Sequence, residues 1–255
     1  MQAALDNICR WSEKWGMEFN IKKCKVMHLG YNNNKEIYNM NCEILEATSE
    51  ERDIGVMVQD NLKPAAQCAK AANTAQTVLS QILRAFHYRD RHIFVRLYKT
   101  YVRPHLEFAS AAWSPWTEAD KECLEKIQKR AIRTVSGLQS EIYEERLREL
   151  GMTTLEERRH RSDMTEVYKI LHGVTKVNAS TWFDMVSENV RTTRQVSNPW
   201  NIRPKHGRLE IRRNFFSMRV INPWNQIPED IRAAKTVTSF RKRHAQYREE
   251  TVPHV

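Results

Sequence analysis

The sequence predicts an α+β fold that is mostly α. It reads as a small antiparallel β meander, then a helical bundle, then a partly irregular C-terminal tail. Three observations carry this. Before residue 63 the apolar residues come in short runs closed by Gly or Asn, as strands and turns require. From Pro64 to His172 they recur at three- and four-residue steps, the period of a helix face. From Gly173 to Asn214 the chain turns to Thr, Ser, Asn and Arg with isolated aromatic islands. Four segments follow: 1–63, 64–172, a polar linker or insertion at 173–214, and a docking tail at 215–255.

The first element is a helix whose face is Leu5, Ile8, Trp11 and Trp15, with Cys9 beside it; Gly16 suits its C-terminus. Val26, Met27 and Leu29 suggest a strand ending at Gly30, and the NNNK run from Asn32 reads as a turn. IYNMNCEIL and DIGVMV are two further strands, which makes Cys24–Val58 one meander. Pro64 can stand in the first turn of the alanine-rich helix PAAQCAKAANTAQTVLSQILRAF.

The chain is organised around Gln81–Trp116. There Phe94, Leu97, Tyr98, Tyr101, Val102 and Leu106 share one helix face. Arg89, His92, Arg96, Lys99 and Arg103 make a basic stripe on the other. Pro104 has no N–H and clashes with the preceding turn, so this helix should kink or stop near Arg103. After Ser114-Pro115, Thr117 caps a new helix with Asp120 at its third position. Leu124, Ile127, Ala131, Val135 and Leu138 face inward there, and Lys126, Lys129, Arg130 and Arg133 form a second basic stripe. Ser140 and Thr154 each start a further helix, the latter with a TLEE capping box. In the tail, Phe215, Phe216, Val220, Ile221, Trp224 and Ile227 are the pieces that dock it on the helices, and helices follow from Glu229 and through Phe240.

The net charge of +10 is uneven. Residues 1–63 carry −2, residues 64–172 carry +4 and residues 173–255 carry +8. Polyanions are the matching partner class, and two consecutive basic helices strengthen that match. A stripe of this kind is also what a solvated helix face looks like. The five cysteines are scattered without a C-x-x-C pair, which points to reduced thiols in an intracellular compartment, cytoplasmic or nuclear, and away from zinc. His87 and His92 flank YRDR with no third ligand near. No run of 18 apolar residues suits a membrane span, and the N-terminus lacks the pattern of a secretory signal.

Chemistry is harder to place. Two-metal nucleotidyl transfer needs carboxylates held a few ångströms apart. The eight aspartates are dispersed, with no two adjacent. The Glu-Glu pairs fall at turns or helix starts, where they suit the helix dipole. G-x-S-x-G, Walker, H-E-x-x-H and G-x-G-x-x-G motifs are absent. The residues alone describe a basic, mostly helical binding module with no catalytic group and no metal ligands.

WSEKWGMEFNIKKCKVMHLG, ERDIGVMVQDNLKPAAQCAKAA, RAFHYRDRHIFVRLYKTYVRPHLEFASAAWSPW, LEKIQKRAIRTVSGL and TTLEERRHRSDM closely resemble the downstream part of non-LTR (LINE-type) retrotransposon reverse transcriptases. FFSMRVINPWNQIPEDI resembles the C-terminal end of the same polyproteins. The resemblance implies that 1–63 is the end of a polymerase palm and 64–172 a thumb that holds the template–primer duplex. It makes DIGVMV the hairpin that grips the primer end, centred on Gly55 and Val56. It sets Asn20 and Lys23 of FNIKKC on the family's Asn–Lys pattern, Lys23 being a weak candidate to protonate the leaving pyrophosphate. It implies Mg2+ for the complete enzyme and none held by this chain alone. Fingers, upstream palm and both aspartate motifs have no counterpart here, so this chain by itself is expected to be inactive. Three readings stand: a partial reverse transcriptase that binds RNA template and RNA–DNA or DNA duplex; a non-enzymatic RNA- or DNA-binding module; and a helical protein-interaction scaffold.

Overall fold

A computed structural model describes residues 1–30, 32–186 and 200–251. The chain divides into two compact units, Met1–Gln67 and Cys68–Val255. The fold is mostly helical, with its β structure confined to the N-terminal unit among the described strands.

The N-terminal unit starts with helix α1 (Gln2–Trp15), which stops at Gly16 in the left-handed conformation at φ 63°. The buried face of α1 differs from the expected one. Cys9 and Ser12 are buried and Leu5 packs beside them, while Ile8, Trp11 and Trp15 are exposed. The partner surface is a small core of Val26, Met40 and Leu45, which one narrow stripe suffices to cover. Trp11 and Trp15 rest on each other instead, with ring centroids 6.5 Å apart.

The strands do not form one meander. β1 (Lys25–Val26) pairs in parallel with β4 (Glu46–Ala47). β2 (Asn39–Met40) and β3 (Glu43–Ile44) form one hairpin; β5 (Glu50–Asp53) and β6 (Val56–Gln59) form another. Both turns have two central residues at positive φ, Asn41-Cys42 and Ile54-Gly55, the geometry whose twist matches a two-residue hairpin. The β2–β3 hairpin falls between β1 and β4, which lets their backbones meet side by side in the same direction.

Helix α2 (Ala65–Ala85) begins directly after a buried Pro64. Next comes one continuous helical rod: α3 (Arg91–Leu97), a π turn (Tyr98–Val102) and α4 (Arg103–Glu107). Asp90 caps it by accepting from the N–H groups of His92 and Ile93. Pro104 neither stops nor ends this rod. It cannot donate to the carbonyl one turn back, and the wide turn relieves the clash: the N–H of Arg103 reaches five residues back to the Tyr98 carbonyl.

A short α5 (Ser110–Trp113) leads to α6 (Glu118–Arg133), whose N-cap is Thr117 accepting from the Asp120 N–H. α7 runs Tyr143–Glu149, so it starts after Ile142 and not at Ser140; no side chain caps it. α8 (Leu155–Leu171) is capped by Thr154, which accepts from the Glu157 N–H.

α8 is the centre of the second unit. Its Met164, Val167, Tyr168 and Ile170 meet α11 (Phe216–Arg219), α12 (Ile221–Gln226), α13 (Glu229–Arg232) and α14 (Val237–Thr251) in one core. Trp224 and Phe240 are completely buried there. The Asp163 carboxylate is gripped by the Arg219 guanidinium at 2.9 and 3.0 Å, which fixes the tail to α8.

The described ends of segment 173–214 belong to this core. After α9 (Ala179–Trp182), Phe183 is 1% exposed, and Ile202 is 0% exposed and bridged to Met185. Trp200 stacks on His172 with centroids 4.1 Å apart. The polar composition hid this, because a few apolar residues suffice to anchor a chain that crosses an existing hydrophobic surface. The linker reading for residues 187–199 lies outside the described residues.

Candidate nucleic-acid interface

The stripe on α6 is presented as the spacing requires. Lys126, Lys129, Arg130 and Arg133 line one cleft of about 620 Å³ with Tyr143 and Arg146 of α7. Lys126, Arg130 and Arg133 are exposed and enter no ion pair among the described residues, whereas Lys129 is held by Glu122 at 3.0 Å. Arg146 donates to the carbonyls of Leu138 and Gln139 and so fixes the loop between α6 and α7.

The first stripe divides. His92, Arg96 and Lys99 line a second cleft with Arg91, Glu149 and Leu150. Arg96 is exposed and in no ion pair among the described residues. Burial lowers the Lys99 pKa, and the cations of Arg103 and Arg158 add to that. Arg103 is turned toward the protein, 3.8 Å from Glu107, which is itself clamped by Arg158 of α8. Burial, then Arg158, lowers the Arg103 pKa. The π turn explains this. One extra residue in the turn rotates everything after it by about 100°, so Tyr101 is 56% exposed and Arg103 half-buried, the reverse of the regular pattern. Arg89 leaves the stripe altogether: it is half-buried and donates to the Leu83 carbonyl at 3.2 Å, closing the end of α2. The two stripes line different clefts, one bordered by Tyr143 and Arg146 of α7 and the other by Glu149 at its C-terminal end.

The other candidates sit in the N-terminal unit. Gly55 has φ 90° in the β5–β6 turn, and Val56 pairs with Asp53 across it. Ile54 beside it is 89% exposed at φ 43°, a conformation that costs a β-branched residue dearly. Lys23 is exposed and ends a 3-10 turn (Ile21–Lys23), not a strand.

Sequence reasoning missed the polar cluster under the clefts. Gln128 is completely buried; its amide accepts from the Tyr98 hydroxyl at 3.0 Å and donates to the Tyr143 hydroxyl and the Thr153 carbonyl at 2.9 and 3.0 Å. Tyr143 donates to the Glu125 carboxylate, which also accepts from the N–H of Leu155 at 3.1 Å. Burial raises the Glu125 pKa against the hydrogen bonds of Tyr143 and Leu155. Burial likewise pushes both tyrosine hydroxyls up, with Glu125 adding to it. This cluster ties the rod, α6, α7 and α8 together, and its Tyr143 lines the α6 cleft. The signal was there: Glu125 and Gln128 interrupt the inward arc of Leu124, Ile127 and Ala131.

Among the described residues no group of three or more His, Cys, Asp or Glu is placed to hold a metal ion. Among the same residues no helix is long and apolar enough to cross a membrane. No family model, curated protein or solved structure matches the chain.

Proposed function

We propose that the second unit binds nucleic-acid duplex through its phosphates, as the thumb-like portion of a non-LTR-type reverse transcriptase whose catalytic carboxylates this chain does not supply. The observation that carries this reading is the α6 cleft. It holds four cations on one helix face beside the buried polar cluster, and among the described residues only Lys129 is neutralised by a neighbour. Phosphate contact is independent of sequence, which a protein that tracks a moving duplex needs. The β5–β6 hairpin, with Gly55 and Val56 at its turn, is proposed to approach the primer end.

Arg96, Lys126, Arg130 and Arg133 are the exposed stripe arginines and lysines without a described ion pair. If all four reach phosphate, log affinity against log salt falls with a slope of about −3 to −4. The test is anisotropy of a labelled RNA–DNA duplex over a salt series. Replacing Lys126, Arg130 and Arg133 together by Gln should weaken binding alike for unrelated sequences and flatten the slope by about 3. Unchanged affinity and slope would reduce the stripe to a solvated face and sink the proposal.

A further inference from the structure

A third basic surface lies apart from the two clefts, neither of which its arginines line. Helix α10 (Glu210–Asn214) is short and follows a bend at Arg208-Leu209. At Gly207 the backbone comes so close to this helix that a Cβ would stand 3.1 Å from the Arg213 Cγ and 3.3 Å from its backbone nitrogen. A side chain here would make Arg213 give by a few tenths of an ångström; this close approach sets Arg212 and Arg213 beside Gly207 and its chain neighbour Arg208, in one knot of three arginines. All three are exposed and in no ion pair among the described residues.

The knot stands next to an aromatic platform. The Arg212 guanidinium lies over the Phe215 ring, its carbon 5.3 Å from the centroid. The Phe215 ring is 44% exposed and near-parallel to Trp182, with 4° between planes and 6.3 Å between centroids. Trp182 meets the buried Phe216 edge-on at 6.1 Å, so the platform rests on the core and is held before any ligand arrives. A guanidinium on an aromatic face is planar and delocalised, as a nucleobase is. Arg212 therefore marks where a base would stack, and once displaced it is free to meet that nucleotide's phosphate.

We infer that Phe215 and Trp182, with Arg208, Arg212 and Arg213, form a binding site for single-stranded nucleic acid that stacks an unpaired base and neutralises the adjoining phosphates. Duplex is a poor fit, because its bases are already stacked and hidden. Exposed aromatic rings interleaved with unpaired arginines are what sequence-tolerant single-strand binding needs. This site uses none of the α3 or α6 residues, so it stands or falls separately from the duplex reading.

The test measures anisotropy of a labelled ten-nucleotide oligouridine and of a blunt RNA–DNA duplex on the same preparations. Phe215→Ala should weaken oligouridine binding about 5- to 100-fold, and Phe215→Trp should retain it. Replacing Arg208, Arg212 and Arg213 by Gln should flatten the oligouridine salt slope by about 2. Both variants should leave duplex affinity within about twofold, and the Lys126, Arg130, Arg133 variant should do the opposite. Circular dichroism of Phe215→Ala is expected to match the parent, as the ring is half in solvent. Equal oligouridine affinity in the parent and in the Phe215 and arginine variants would overturn the site. So would binding of the same residues to phosphatidylserine vesicles without any binding to oligouridine.

Discussion

Two buried side chains show how far single residues matter here. His244 of α14 is 2% exposed, stacks on Phe240 at 5.5 Å and on His160 at 5.8 Å, and has no hydrogen-bond partner for Nε2 among the described residues. Burial, with His160 adding, pushes its pKa down to about 4. The unfolded chain takes up the proton near 6.5, so it binds more protons than the fold between those values. Stability from this group is then full above about pH 6.5 and is lost as pH falls toward 4, up to about 3 kcal/mol. His244→Phe keeps a ring in the stack and removes the titration. Urea unfolding of both proteins from pH 7 to 4 should show the parent losing more stability than the variant; parallel curves would contradict the assignment. Gln128 makes a second case. Gln128→Leu strands the Tyr98 hydroxyl and the Thr153 carbonyl, and should cost about 2–4 kcal/mol. Tyr98→Phe, which leaves the amide its other partners, should cost about 1 kcal/mol. Equal losses in urea melts would mean that the cluster does not depend on Gln128.

At the scale of elements, local chemistry and local geometry agree in most places. Gly16 ends a helix because without a Cβ it takes the left-handed conformation freely, and Thr117 and Thr154 begin helices through their hydroxyls. The β5–β6 turn is the exception, with Ile54 where Asn is favoured. Ile54→Asn should stabilise the N-terminal unit by about 0.5–1 kcal/mol, since Asn reaches the left-handed region at lower cost. If the hairpin meets a primer end, the same change should weaken primer-template binding. A variant that is no more stable in thermal melts would show that the hairpin carries no strain at this residue. The π turn is the other lesson. Tyr101 and Arg103 follow a regular helical period in the sequence, yet one wide turn exchanges their environments.

For the whole molecule, the dispersal of the aspartates has a direct consequence. Purified chain with a primed RNA template, nucleotides and Mg2+ or Mn2+ should incorporate nothing above a buffer blank. Template-dependent extension would require carboxylates to converge in a way that the described residues do not. The five cysteines are free thiols, and Cys68, sealed in the second unit, has its pKa pushed up to about 12 by burial. It should therefore resist alkylation in the native chain and react only on unfolding.

The mostly helical fold, the caps at Thr117 and Thr154 and the run of cations along one face of α6 were legible in the sequence, because each depends on residues a few positions apart. Tertiary structure decided what depends on distant partners. It turned Trp11 and Trp15 outward, since the N-terminal core needed only Leu5, Cys9 and Ser12 from α1. It set β1 beside β4 in parallel, a pairing that no local run announces. It drew Phe183 and Ile202 out of a polar segment into the core around α8. It also drew Arg89 and Arg103 out of the stripe to close α2 and to pair with Glu107, and left Arg96, Lys126, Arg130 and Arg133 to face solvent. Periodicity places a charge on a helix face; only the packed neighbours decide whether that charge is already matched.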